Sequence, residues 1–233
     1  MKRSNIAMLI VFFLLIPLTL FLGKLIPGRT YYVVGTVIML EVMVPFFMAF
    51  EGRKPQAREL VVVAVLCALA IAGRVAIPLP HFKAVFGVIM LAGIAFGPET
   101  GFMVGVITAL VSNFFYSQGM YTPWQMVAYG VGGMLAGFCF RRKGLPAKPW
   151  VMGVFGFATV VLLIGPLLDC SGIFLGFSKL NWKTFTGLLA AGLPINAAQG
   201  VCTVLVLVLL GKPLLEKLDR VKTKYGMLRG ADM

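Results

Sequence analysis

Eight long apolar runs, separated by short polar or basic links, leave this chain one class of fold. They cover about residues 6–26, 31–50, 60–77, 82–96, 102–115, 123–140, 150–168 and 185–210. Most approach or exceed the 18 residues or so that mark a transmembrane helix, the one open-ended structure that satisfies every backbone N–H and C=O internally in lipid. Hydrophobic residues make up 60% of the chain and charged ones 12%, and no link is long enough to fold alone. The expected fold is therefore an all-α polytopic membrane protein. The fourth and fifth runs are short for a hydrocarbon core of about 30 Å, so they are expected to thin the membrane, lean on neighbours or extend into their loops. The eighth contains Pro194, where a kink or broken turn is expected. Met1-Lys2-Arg3 and the run behind them read as a retained helix, because roughly 20 apolar residues are too many for a signal-peptide h-region.

The stretch from Phe96 to Gly137 organises the rest. Its first reversal, Gly97-Pro98-Glu99-Thr100-Gly101, has the glycine and proline that end one helix and start the next. Its second, Ser117 to Gln125, carries no charge and is rich in aromatics. A loop that needed only solubility would usually carry charge, so this one suits a large neutral or amphipathic molecule; an interfacial aromatic belt accounts for Tyr121 and Trp124 equally well.

The formal net charge of +13 does not point to nucleic acid, because Lys and Arg gather at helix ends and in the tail, where cytoplasmic loops meet anionic lipid. With the N-terminus inside, the cytoplasmic segments hold 15 basic residues and the outer ones 6. Both termini are then cytoplasmic in a multi-pass protein of the cell membrane, with the Gly97–Gly101 reversal inside and the Ser117–Gln125 turn outside. The hydrophilic link Glu51–Glu59 divides the chain. Residues 1–55 form an N-terminal helix pair with its link, 56–211 a six-helix body, and 212–233 a basic tail. In the tail, Leu214, Leu215, Leu218, Val221, Tyr225 and Leu228 recur at helical spacing, as on an amphipathic helix at the inner membrane surface; a solvated end is the plainer alternative.

Little in the chain supports catalysis. There is no GxxxxGK[ST] loop, His81 is the only histidine, and the acidic residues are scattered singly. Cys67, Cys139, Cys170 and Cys202 lie in or beside apolar runs without CxxC spacing, so neither a disulfide nor a metal or cofactor site is implied. Glu41, in the middle of the second run and followed by Pro45, is the exception. A hydrogen bond to the carbonyl freed by the proline, or a basic partner in the body, would accommodate it.

On the third run Ala64, Ala68 and Ala72 fall four apart and form one smooth face open to close helix approach. An alanine-faced helix after a basic link, a Pro-rich loop, an FGPxxG reversal and a helix ending in a polar aromatic turn follow in order. From about Gln56 to Gly211 that order resembles the substrate-binding subunit, the S component, of energy-coupling factor (ECF) vitamin transporters. The resemblance implies that Ala64, Ala68 and Ala72 dock on a transmembrane coupling subunit. It also implies that two separate ATPase subunits drive import, and that a vitamin or related micronutrient is captured from outside. The chain resembles a branch associated with cobalamin uptake, and riboflavin, queuosine-like bases and other vitamins stay open as ligands. The N-terminal helix pair departs from the family's six-helix plan.

The ligand pocket of such a subunit opens outward. Here the outer half offers Arg74, His81 and Lys83 around Pro78-Leu79-Pro80, then Asn113, Tyr116 and Gln118, then Trp124, Gln125 and Tyr129. Asp169, Asn181 and Trp182 border the last outer loop. On the final helix Asn196, Gln199 and Thr203 share one face after Pro194, and amides in a lipid-embedded helix want partners inside the bundle. Mostly neutral hydrogen-bonding groups with aromatics suit a bulky, amide-rich ligand. Two other classes compete. An integral membrane enzyme acting on lipid or prenyl groups would need paired acids or a Cys/His arrangement, which the chain lacks; a non-transporting scaffold would need only the small-residue faces and the tail.

Overall fold

The computed structural model describes residues 6–7, 10–25, 31–52, 56–140, 144–176 and 182–226. Lys2, Arg3, Arg29, Arg53, Lys54, Arg141, Arg142, Lys143, Lys179 and Arg229 of the charge bias lie outside them, as do Asn181 and Leu228. Among the described residues there is no strand, and nine helices follow in order. Helix α1 joins a π-helical turn, Val11–Leu15, to Ile16–Leu25, and α2 is Tyr31–Gly52. Then come α3 (Ala57–Val75), α4 (Val85–Phe96), α5 (Pro98–Tyr116) and α6 (Thr122–Phe140). Helix α7 runs Pro149–Thr159, a π-helical turn Val160–Ile164 and Gly165–Gly176; α8 is Trp182–Leu209 and α9 is Gly211–Tyr225. The described parts of all eight apolar runs are helical, and among the described residues four stretches are long and apolar enough to cross a membrane: Val33–Gly52, Pro98–Tyr116, Pro149–Gly172 and Trp182–Leu209.

Each π turn sits just before a proline, Pro17 in α1 and Pro166 in α7. A proline ring clashes with the carbonyl four residues back and offers it no N–H; widening the preceding turn to i→i+5 bonding re-partners those carbonyls without breaking the helix. Of the kink or broken turn expected at Pro194, the broken turn is absent, since α8 runs through that residue as one helix. The short fourth run has a different explanation from membrane thinning. Helix α4 has 12 residues, 11 of them buried, and is wrapped by its neighbours, so it meets no lipid that would set its length. Gly97, at φ 99°, ends it in a conformation that favours glycine, and Pro98 at the first position of α5 starts the next helix at once.

Helices α4, α5 and α6 meet at backbone contact. A Cβ placed on Gly93 would lie 2.0 Å from the carbonyl oxygen of Gly133, and one on Gly133 would lie 2.3 Å from that of Gly101. A Cβ on Gly105 would come 2.4 Å from the Tyr129 oxygen, and one on Gly137 would come 2.5 Å from Pro98 N. Lipid tails are as apolar as leucine, so helices in a bilayer associate through such close packing rather than through escape from water.

The N-terminal pair leans on this core through α2, where Phe46 stacks on Phe102 of α5 with centroids 4.2 Å apart. Glu41 takes neither partner expected from the sequence. Thr19 Oγ1 of α1 donates to Glu41 Oε1 at 2.5 Å, while Oε2 is buried with no hydrogen-bond partner among the described residues. The polar link is therefore between the two added helices. At the opposite end of the chain the tail forms α9 as its periodicity predicts. Leu218 is buried, Leu214 and Leu215 pack on the core, Lys222 lies over the Phe96 ring at 5.2 Å, and Arg58 lies over Tyr225 at 5.6 Å.

Gly133→Ala should cost at least about 2 kcal/mol, because the new methyl meets backbone that cannot yield. Gly187→Ala, inside α8 with nothing within 4 Å, should cost nothing and stabilise by up to about 1 kcal/mol. Thermal unfolding of the two variants in detergent checks the contrast; equal melting temperatures would mean that the junction is looser than described.

Candidate functional site

At the end of the bundle where α5 turns into α6, polar side chains converge on Asn113. It is fully buried, one turn from the end of α5, and all of its hydrogen-bonding capacity points inward. Arg74 Nη1 donates to Asn113 Oδ1 at 2.9 Å, and Asn113 Nδ2 donates to Gln125 Oε1 at 2.8 Å and Thr122 Oγ1 at 3.1 Å. The same Arg74 nitrogen donates to Ser112 Oγ. Thr122, the first residue of α6, ties the turn itself: its hydroxyl donates to Gln118 Oε1 at 2.9 Å and accepts from the Gly119 N–H at 3.2 Å. The charge-free turn is thus closed by hydrogen bonds to the two helices it joins.

Arg74 arrives in the last turn of α3, where a cation also complements the helix C-terminus. Its guanidinium lies between two rings, 5.0 Å from the centroid of Tyr116 and 5.4 Å from that of Tyr129. The Tyr116 hydroxyl donates back to the Arg74 carbonyl at 2.9 Å. Tyr129 is 4% exposed and meets Phe86 edge to face at 4.8 Å, so the site has a firm aromatic floor on α4 and α6. The loop between α3 and α4 covers one side. Lys83 Nζ donates to the Ile77 carbonyl, the Ala84 N–H bonds Gly73 O at 3.1 Å, and His81 adopts φ 59°.

These groups line a cavity of about 520 Å³. Of the residues that the sequence offered around the pocket, eight line it: Arg74, His81, Lys83, Asn113, Tyr116, Gln125, Tyr129 and Gln199. Gln118, Trp124, Asp169, Trp182, Asn196 and Thr203 do not. Gln118 Nε2 donates to Leu110 O at 2.9 Å and caps the end of α5, and Trp124 is buried within the body. Asn196 Nδ2 donates to Asp169 Oδ2 at 2.8 Å, which pins α8 to α7. Two glycines make room for that pair: a Cβ on Gly192 would lie 2.1 Å from Asp169 Oδ2, and one on Gly165 would lie 2.2 Å from Asn196 Cγ. Thr203 Oγ1 donates to Gln199 O of its own helix at 2.8 Å, so of the amide stripe on α8 only Gln199 reaches the cavity. Pro78, Pro80 and Tyr121 also line it, as do Val85 and Leu168, whose place on a wall had no sequence signal.

The chemistry available is recognition. Among the described residues no group of three His, Cys, Asp or Glu gathers to hold a metal ion. The cavity offers amides, phenol hydroxyls and ring faces around one guanidinium and one ammonium, which bind and orient an organic molecule.

A second surface feature lies on the flank. Ala64, Ala68 and Ala72 are all exposed along α3, and Ala64 and Ala68 line an apolar groove of about 360 Å³. Its walls come from α3, from Met103, Ile107 and Val111 of α5, and from Phe50 of α2.

A family model described as the S component of an ECF-type riboflavin transporter matches residues 54–216. The chain belongs to that family. No curated protein and no solved structure gives a significant match. As an S component it is a substrate-binding subunit of a transporter in the plasma membrane, non-catalytic itself, with a vitamin-type ligand and an ECF module as the partners that membership implies. The match leaves α1 and α2 outside it.

Asn113→Leu should destabilise the S component by about 1–3 kcal/mol, since Arg74, Thr122 and Gln125 each lose a buried partner at once. Unfolding followed by tryptophan fluorescence measures this; wild-type stability would show that water or a rearranged Gln125 replaces the amide.

Proposed function

We propose that this S component captures a flavin-sized vitamin in the cavity between α3, α5 and α6 and passes it inward through a coupling subunit seated on α3. The cavity carries the reading: a concave, aromatic-floored site with convergent polar groups, in a chain of a substrate-binding family. Its volume of about 520 Å³ suits a riboflavin-sized ring system more closely than a corrinoid, so riboflavin, the vitamin named for the family, takes precedence over cobalamin. The orientation follows from the bias of 15 basic residues to 6, which puts both termini in the cytoplasm and opens the cavity outward. Arg74, His81, Asn113, Tyr116, Gln125, Tyr129 and Gln199 are the contact residues in this reading, with Asp169 and Asn196 holding the wall behind them.

Ala64, Ala68 and Ala72 form the seat of the coupling subunit, and two ATPase subunits supply the energy. Their exposure in a buried-core protein supports this: a stripe of methyl groups lets another helix approach closely. The basic outer face of α9 lies against anionic lipid, while its leucines hold the body.

Calorimetric titration of the full-length protein in nanodiscs, with riboflavin in one arm and cobalamin in another, tests the ligand. Saturable riboflavin binding is expected; cobalamin alone would return the site to a corrinoid, and silence in both arms would count against either. With the bound ligand, Gln125→Ala should lower affinity about threefold to tenfold, the worth of one hydrogen bond. Ala68→Trp should abolish uptake in cells that carry the ECF module while leaving binding to the purified subunit intact. Loss of both together would make the alanine face internal packing.

A further inference from the structure

The cavity has a sign. Arg74 and Lys83 line it, and none of its thirteen lining residues is Asp or Glu. Asp169, next in sequence to the lining Leu168, turns away to Asn196. Both cations are half-buried, and the hydrogen-bond partners described for them are neutral: Ser112 and Asn113 for one, the Ile77 carbonyl for the other. A guanidinium presents five donors in a fixed fork and an ammonium three, yet these bonds engage only Nη1 of the first and one carbonyl for the second. The two heads also share a neighbour. Arg74 lies 5.0 Å and Lys83 5.9 Å from the centroid of the same Tyr116 ring.

Aromatic faces and neutral oxygens hold a cation in place without neutralising it, and ionisable groups at membrane depth are costly unless a partner comes. The missing partner has to be an anion, and a guanidinium fork beside an ammonium matches a carboxylate or phosphate better than any neutral group. The backbone adds an independent sign of a clamp. His81 at φ 59° and Ser117 at φ 85° are the two non-glycine residues with positive φ among the described residues. One lines the cavity and the other follows Tyr116 directly, and strain of this kind collects where a ligand is gripped.

We propose that the ligand is a ring compound bearing an acidic group, its carboxylate or phosphate held between Arg74 and Lys83 beside Tyr116 and its ring against the tyrosines of the wall. This rests on the reading of the cavity as the vitamin site, and it adds a charge that the family's named vitamin lacks.

Matched pairs that differ in charge test it: riboflavin against riboflavin 5′-phosphate, and nicotinamide against nicotinate, titrated into the full-length protein in nanodiscs of neutral lipid. In at least one pair the anionic member should bind at least about tenfold more tightly, and its advantage should shrink as salt is raised from about 0.05 to 0.5 M. Lys83→Met and Arg74→Gln should each reduce the ratio below about threefold; Lys83→Met alone suffices if the arginine variant does not fold. Binding with the neutral member equal or tighter, or a preference untouched by Lys83→Met, overturns this proposal and leaves the vitamin site standing. Failure of all four compounds to bind overturns both.

Discussion

Backbone contact among α4, α5 and α6 is the constraint on which the other features depend. Gly93, Gly101, Gly105, Gly133 and Gly137 allow backbone atoms of one helix to sit where a side chain of the next would otherwise stand. Close approach replaces the hydrophobic driving force that lipid withholds, and it fixes the rotation of α5 against α6. That rotation sets the site. With the two helices held this near, Asn113 and Gln125 meet although 12 residues and a turn separate them, and Arg74 from α3 completes the set.

The polar groups at that end divide between holding and receiving. Gln118, Thr122 and Asn113 bond to one another or to backbone, which makes the charge-free turn rigid rather than merely uncharged. Asp169 and Asn196 do the same between α7 and α8, each resting over a glycine of the other helix. Hydrogen-bonded polar groups cost less in a low-dielectric interior than bare ones, although Asn196 leaves the Asp169 charge uncancelled just as Ser112, Asn113 and the Ile77 carbonyl leave those of Arg74 and Lys83. Arg74 and Lys83 stand apart because they line the cavity, and Asp169 does not.

The two added helices belong to the structure of the groove as much as to the N-terminus. Phe46 stacks on the core, and Phe50, one turn on, closes the side of the groove that Ala64 and Ala68 line. The groove on α3 is thus walled by α2 as well, and the Thr19–Glu41 bond ties α1 to that arrangement.

Much of this was legible in the residues. Eight apolar runs demanded helices, because lipid leaves the backbone no other solution, and the family resemblance followed from the order of an alanine face, an FGPxxG reversal and a polar aromatic turn. Arg74, Asn113, Tyr116, Gln125 and Tyr129 were visible as unusual polar or aromatic residues near helix ends. Their partners were not. Asn196 and Asp169 looked like ligand groups on the same grounds, and only the packing of α7 on α8 turned them toward each other. The shortness of α4 left a thinned membrane, support from neighbours and extension into loops open, and burial on every side selects the neighbours. The sequence by itself determined the class of fold, the helices and the residues able to bind, because those depend on local composition and period. Which polar residues face a ligand and which satisfy one another was decided only by tertiary structure, because it depends on the rotation of each helix about its axis, and that is set by glycine contacts between segments far apart in the chain.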